Sequence, residues 1–289
     1  MPDTGPFHRT RLRLRAIASL VSETLRENPE SRHRRHLIKK YKGTENGQVL
    51  ILGNGPSVNN LTVGQILRFQ AYGGKVVVMN DFLFSSLAIE FLPDYYFIFD
   101  PDYWKSTYQD NNRQLALNGY FEDINPNCTL VQGANYSLLS ETHGKYLFVD
   151  HRSIQGLWRS ANPNKPWGLP SSVAMGAIAT MKYLGFSTIY FAGLDSDSYK
   201  SFFVDDLNEV MFSSANNYFY TQSDGLVDPF TNPASEARPM GDWPIRHMSD
   251  VLYAAAIFMR DFHWLVAENC VNVGNDRTND SAPRACLLH

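Results

Sequence analysis

From residue 48 onward the apolar positions alternate between two rhythms. Short runs rich in β-branched and aromatic residues, bounded by Gly, Asn, Asp or Pro, read as strands at Gln48–Leu52, Lys75–Met79, Tyr95–Phe99, Thr188–Ala192 and Trp264–Glu268. Weaker candidates lie at Thr129–Gln132 and Tyr146–Val149. Between them apolar residues recur on a period near 3.6, which predicts helices over about Thr62–Gln70, Ser171–Leu184 and Met248–Phe262. Ser171 and Ser172 behind Pro170 supply an N-terminus for the second helix, and Gly185 a stop. Strands alternating with helices in this way build an α/β fold, a Rossmann-like, mainly parallel sheet flanked by helices.

Two stretches depart from the alternation. Residues 198–246 carry Asn216, Asn217, Tyr218, Phe219 and Tyr220, then much Gly, Pro and Asp, and read as a long irregular insertion ahead of the last helix. Insertions of that length serve as lids or binding segments, or are disordered. Upstream, residues 8–42 hold eleven bases (Arg9, Arg11, Arg13, Arg15, Arg26, Arg32, Arg34, Arg35, Lys39, Lys40 and Lys42) against Glu23, Glu27 and Glu30. Leu12, Leu14, Ile17, Leu20, Val21 and Leu25 recur there at near-helical spacing, which predicts a basic amphipathic helix able to lie on an anionic membrane surface. Packing of that helix on the domain, or on a sister subunit of a homo-oligomer, is the alternative. The organisation expected is a basic helical extension over 1–45 and a catalytic-sized domain over 46–289, with the insertion as its lid.

Composition narrows the class of protein. With 44% hydrophobic and 13% aromatic residues in 289, the chain can bury a proper core. A formal net charge of -3 gives no sign of a nucleic-acid partner. Cys128, Cys270 and Cys286 are odd in number and widely spaced, which fits neither a disulfide framework nor a zinc site. No apolar run reaches the roughly 18 residues of a membrane span, and arginines interrupt the N-terminus where a signal peptide needs apolar residues. The expectation is a cytoplasmic protein, peripheral at most on the inner face of the cytoplasmic membrane.

In open α/β sheets ligands bind beyond the carboxyl ends of the strands. The first strand is followed by Gly53-Asn54-Gly55-Pro56-Ser57, the second by Asn80-Asp81, the third by Asp100-Pro101-Asp102, and Thr188–Ala192 by Gly193-Leu194-Asp195-Ser196-Asp197-Ser198-Tyr199. Two glycines around Asn54 let backbone approach a ligand, and the Asn54 amide and Ser57 hydroxyl suit phosphate or ribose oxygens, although a structural glycine turn explains them equally well. Ser171 and Ser172 sit where a helix N-terminus favours an anion, or act as an ordinary cap. Asp100 and Asp102 have the look of a D-x-D motif that holds Mn²⁺ or Mg²⁺ with a donor diphosphate; surface turn chemistry is the competing explanation. His247, just ahead of the last helix, has an intrinsic pKa suited to a general base.

Together "LILGNGPSV", "VVMNDF", "FIFDPDYW", "PSSVAMGAIATMKYLGFSTIYFAGLD" and "RHMSD" resemble the bacterial sialyltransferases of lipooligosaccharide assembly, glycosyltransferase family 42. More distantly they resemble the related domain of flagellin-modifying transferases and an archaeal pterin diphosphokinase. The resemblance implies a GT-A-variant sialyltransferase-like fold, a CMP-activated sugar donor, a glycan or glycolipid acceptor and no metal cofactor. It places Asn54 and Asn80 at the donor nucleotide, Ser171 and Ser172 at its anionic part, and His247 at the acceptor hydroxyl. Tyr199 would stabilise the leaving phosphate, and Gly53, Gly55, Ser57, Asp100 and Asp195 complete the donor-binding set. The chain departs from those sialyltransferases at Asp100, where they carry Asn, and at Ser172, where they tend to have Gly. A metal-dependent UDP- or GDP-sugar transferase using Asp100 and Asp102, and a non-catalytic nucleotide- or glycan-binding subunit, are the readings that compete with it.

Overall fold

The structure, a computed structural model, describes Leu14, Ile17, Ala18, Val21, Ser22, Thr24 and Leu25 near the N-terminus and most of the chain from Glu27 on. From Glu27 it omits residues 105–111, 139–142, 151, 153–159, 167–171, 196–201, 205, 207–209, 213–237, 240–247, 275–281 and 288–289.

Seven strands form one parallel sheet: β1 (Gln48–Leu52), β2 (Lys75–Met79), β3 (Tyr95–Ile98), β4 (Thr129–Gly133), β5 (Tyr146–Val149), β6 (Thr188–Ala192) and β10 (Cys270–Asn272). Their spatial order is β10-β6-β1-β2-β3-β4-β5. The chain therefore builds outward from β1 in one direction through β5, then returns to the other side of β1 with β6. Leu50 pairs with Val76 of β2 and with Tyr190 of β6, so β1 is the strand at which the order reverses.

The inner strands are nearly continuous apolar runs because both faces of the sheet are covered. Alternate residues serve opposite cores. Val49, Ile51, Val77, Met79, Phe97, Val131, Ile189 and Phe191 face one core with α4 (Val173–Leu184) and α5 (Met248–Val266). Leu50, Leu52, Val76, Val78, Tyr96, Ile98 and Leu130 face the other with α2 (Val63–Ala71), α3 (Asn112–Gly119) and the π turn Tyr120–Ile124. In the second core Ile66, Phe69, Leu117 and Phe121 are buried. A capping box between Thr62 and Gln65 starts α2 where the period predicts it. Gly185, at φ 107°, ends α4; a Cβ there would lie 2.4 Å from the carbonyl oxygen of Glu45.

One predicted strand is corrected. Trp264–Glu268 is the last turn of α5 and the turn behind it, because Phe258, Phe262, Leu265 and Val266 prolong the apolar face that packs on the sheet. Asn269, at φ 60°, ends the run, and pairing with β6 begins at Cys270. Within 198–246 the described residues form a three-stranded antiparallel sheet from β7 (Phe202–Val204), β8 (Val210–Phe212) and β9 (Arg238–Pro239), which the irregular reading of this stretch did not anticipate.

Near the N-terminus, α1 (Pro29–Leu37) is capped by the Asn28 side chain, continues as a 3-10 turn over Ile38–Tyr41, and lies against β5. Ile38 is wholly buried in the core shared with α4, so this part of the basic segment belongs to the folded body. Leu14, Ile17, Val21 and Leu25 are helical and exposed.

Candidate active site

The crevice favoured by α/β topology lies at the carboxyl ends of β1 and β6, where the strand order turns back. The two loops there are cross-linked by short contacts. Gly53 N–H donates to Ala192 O at 2.8 Å and Gly55 N–H to Gly193 O at 2.9 Å. Ser57 Oγ accepts from the Gly193 amide at 2.8 Å, and the Ser57 N–H donates to Asp195 Oδ2 at 2.8 Å. A Cβ on Gly53 would lie 2.1 Å from Gly193 O, and one on Gly55 would lie 2.3 Å from Asp195 Oδ2. The glycines thus admit the neighbouring loop, and Gly193 itself turns at φ 70°. Asn60 donates to the carbonyl of Gly274 beyond β10, and the Gly274 amide donates to Asn272 Oδ1, so a third strand end joins the same lattice.

Within this lattice Asn54 stands apart. Its Oδ1 is buried and accepts no hydrogen bond from the described groups. A buried amide oxygen without a donor is costly, and a ligand N–H or O–H would relieve it.

The ends of β2 and β3 are held in the same manner. Asn80, at φ 45°, accepts at Oδ1 from the Phe99 amide at 3.3 Å, and its carbonyl accepts from the hydroxyl of the wholly buried Tyr96. That hydroxyl in turn accepts from the Leu83 amide at 2.9 Å. Asp81 accepts from Tyr103 at 2.5 Å, tying the loop after β2 to the turn after β3. Trp104 stacks on Tyr136 with ring centroids 4.0 Å apart and donates to Ser137 O at 2.9 Å, which carries the lattice on to the end of β4. Aromatic residues in "DPDYW" were the only hint of these ties in the sequence.

Helix α4 delivers its N-terminus to this rim. Its last turn is held beside the residues that precede β1, since Gly43 and Glu45 donate to Tyr183 O and Leu184 O. Twelve residues of helix span about 18 Å, comparable with a five-residue strand. Ser172 occupies the cap position and its hydroxyl makes no capping bond, so the Ser172 side chain does not take up the first-turn amides.

Ser171, Tyr199 and His247 lie outside the described residues. Asp100 is half-buried at the end of β3, while the Asp102 side chain is outside the described set. Among the described residues no cluster of three or more His, Cys, Asp or Glu could hold a metal. The three cysteines are free; burial pushes the Cys270 thiol up to about 11, and the Cys128 thiol also upward. The structure therefore brings together Gly53, Asn54, Gly55, Ser57 and Asp195 at one crevice, and sets Asn80 and Asp100 at the ends of the next two strands.

No family model matches the sequence, and no curated protein does. Among solved structures the chain is similar to the MAf glycosyltransferase from Magnetospirillum magneticum AMB-1, with 11% identity and a TM-score of 0.45 over 89% of this chain. The chain spans 38% of that protein's length.

Proposed function

We propose that the chain is an inverting glycosyltransferase that moves an acidic sugar, a sialic acid or another nonulosonate or ulosonate, from a CMP donor to a bacterial cell-surface glycan. The observation that carries this reading is Asn54. Its buried side-chain oxygen takes no hydrogen bond from the described residues at the β1/β6 crevice, the position where a nucleotide amino or hydroxyl group would arrive. The start of α4, which the Ser172 hydroxyl does not cap, adds backbone donors for a phosphate or carboxylate.

In this reaction an acceptor oxygen attacks the anomeric carbon, the bond from that carbon to the phosphate oxygen breaks, and CMP departs with the bonding pair. His247 takes the proton of the acceptor hydroxyl. Tyr199 and the first-turn amides of α4, with Ser171 and Ser172, stabilise charge on the leaving phosphate. Residues 198–246 close over both substrates and hold them in register. Contact with an anionic membrane through residues 8–42 would keep the enzyme beside a lipid-linked acceptor; the exposed Leu14, Ile17, Val21 and Leu25 support that placement. Among the described residues no helix is long and apolar enough to cross a membrane.

Thermal shift with CMP, CDP, UDP, GDP and ATP, with and without Mn²⁺, tests the donor class. A ligand at about 100 times its Kd stabilises the native state by about 2.7 kcal/mol, a readable rise in Tm. CMP should raise Tm without metal. A rise confined to UDP or GDP with Mn²⁺, and turnover abolished by EDTA, would replace this reading with the metal-dependent one through Asp100 and Asp102. Nucleotide binding with no transfer to any acceptor would leave a binding subunit.

A further inference from the structure

Far from the β1/β6 crevice but on the same rim, a cleft of about 370 Å³ opens between α1 and the carboxyl ends of β4 and β5. Its walls include Glu27, Ser31, Arg35, Asn135, Asp150 and Arg152. Asp150 follows β5 and its side chain is 1% exposed. It accepts from Arg152 Nε at 2.8 Å and Nη2 at 2.6 Å, and from Arg35 Nη1 at 3.0 Å. Arg35 also donates to Glu27 Oε2 at 2.9 Å, and Arg32 lies 3.7 Å from the same oxygen.

Three features of this cluster point to a ligand. Among the described residues the cluster holds three guanidinium groups (Arg32, Arg35, Arg152) and two carboxylates (Glu27, Asp150), so cationic hydrogen-bond donors predominate on its walls, while Arg34 pairs with Glu30. Arg35 Nε is buried and donates to none of the described groups, a deficiency that a ligand oxygen would correct. Finally, Arg35 and Arg152 are held in place by the buried carboxylates of Glu27 and Asp150, so little side-chain entropy is lost when they receive an oxyanion. Ser31 and Asn135 add uncharged hydrogen-bonding groups beside them, and the volume suits one or two sugar rings.

We propose that this cleft binds the single oxyanion, carboxylate or phosphate, of a hydroxyl-rich ligand. On the functional reading above, on which only this last identification rests, that ligand is an acidic acceptor glycan. Its position beyond the ends of β4 and β5 puts it on the side of the sheet to which the donor crevice opens.

The test is calorimetric titration of the full chain with the methyl glycoside of N-acetylneuraminic acid, with the methyl ester of that glycoside, and with inorganic phosphate. The free acid should bind at least about tenfold more tightly than the ester, since esterification removes the charge-assisted hydrogen bonds. Asn135→Trp puts a bulky ring on the cleft wall without removing a charged group; it should weaken the acid by at least about tenfold and leave CMP binding unaltered. Arg35→Gln should act in the same direction, and its melting temperature reports whether α1 has stayed in place. Phosphate binding that is blocked by Asn135→Trp, with the sugar acid inert, assigns the site to a phosphate-bearing ligand. Equal binding of acid and ester, no binding of either acid or phosphate, or an Asn135→Trp protein that binds like wild type would overturn the proposal. Loss of the CMP response with the acid still bound at this cleft would remove the glycosyl-transfer reading and leave the oxyanion site standing.

Discussion

Asp195 receives the backbone N–H of Ser57 at 2.8 Å across 138 positions of chain, and that bond joins the loop after β1 to the loop after β6. The crevice at the point of strand reversal is therefore held by the backbone of one loop and a side chain of the other. Asp195→Ala leaves a half-buried amide without an acceptor, at a cost of about 1–3 kcal/mol. Stability should fall by that amount in urea denaturation, and the Tm rise on adding CMP should shrink with it. An unchanged CMP response would separate the loop lattice from ligand binding.

Gly53→Ala is the sharper probe of the same contact. The new methyl would stand 2.1 Å from the Gly193 carbonyl oxygen, a backbone atom that cannot swing aside. Overpacking of this kind costs about 3 kcal/mol, which lowers Tm by roughly 6 °C or more. Gly43→Ala gives the contrast, since its added Cβ meets nothing within 4 Å and only the positive φ of 67° opposes it. If both variants melt together, the close approach of the two loops does not oppose the added methyl.

His247 precedes the first residue of α5. As general base it should contribute about 100- to 10,000-fold to kcat. His247→Ala is expected to lower kcat within that range and to leave the CMP Kd alone, as measured by steady-state transfer and by titration. Near-normal turnover would strike His247 from the mechanism.

His143 is 7% exposed and packs against Phe121 and Tyr146, with ring centroids 4.8 and 5.5 Å away. Burial holds its pKa below the ordinary value of 6.5. The unfolded chain therefore binds a proton at a higher pH than the folded one does. The stability this neutral ring provides is present above about pH 6.5 and is lost as pH falls through the lower, folded pKa. His36, whose pKa burial and the nearby Lys39 and Arg35 also lower, acts in the same direction. Tm should decline on acidification from about pH 7 to pH 5, more gently in His143→Gln. Identical slopes in the two proteins would exclude His143 as the source.

Two truncations separate membrane contact from folding. Removing residues 1–26 takes away the exposed Leu14, Ile17, Val21 and Leu25 but keeps Ile38 in the core and Arg35 beside Asp150. That protein should keep its Tm and lose affinity for anionic vesicles in a sedimentation assay. Removing residues 1–42 should lower Tm as well, because burial of one Ile side chain is worth about 1.5–3 kcal/mol. Equal partitioning of intact and 1–26-deleted protein would end the membrane proposal.

What could be read from the sequence alone was whatever depends on neighbours a few residues away. The apolar runs of β1, β2, β3 and β6 announce strands buried on both faces, and the 3.6-residue period announces α2, α4 and α5. Polar residues placed directly after those runs locate the rim, since a parallel sheet puts all its carboxyl ends together. Trp264–Glu268 misled because a short apolar run looks the same as a strand or as the end of a long helix; α5 resolved it by continuing its core-facing stripe.

Tertiary structure decided which of the rim residues meet. Ser57 finds Gly193 at a separation of 136 residues, and Arg35 finds Asp150 at 115, and no local pattern encodes either pairing. The glycines of "GNGPS" serve first to admit the loop after β6, a constraint visible only when both loops are in place. Hydrogen bonding and packing act through space over a few ångströms, whereas periodicity acts along the chain. The strands and helices belong to the second kind of information, and the crevice and the Arg35 cleft to the first.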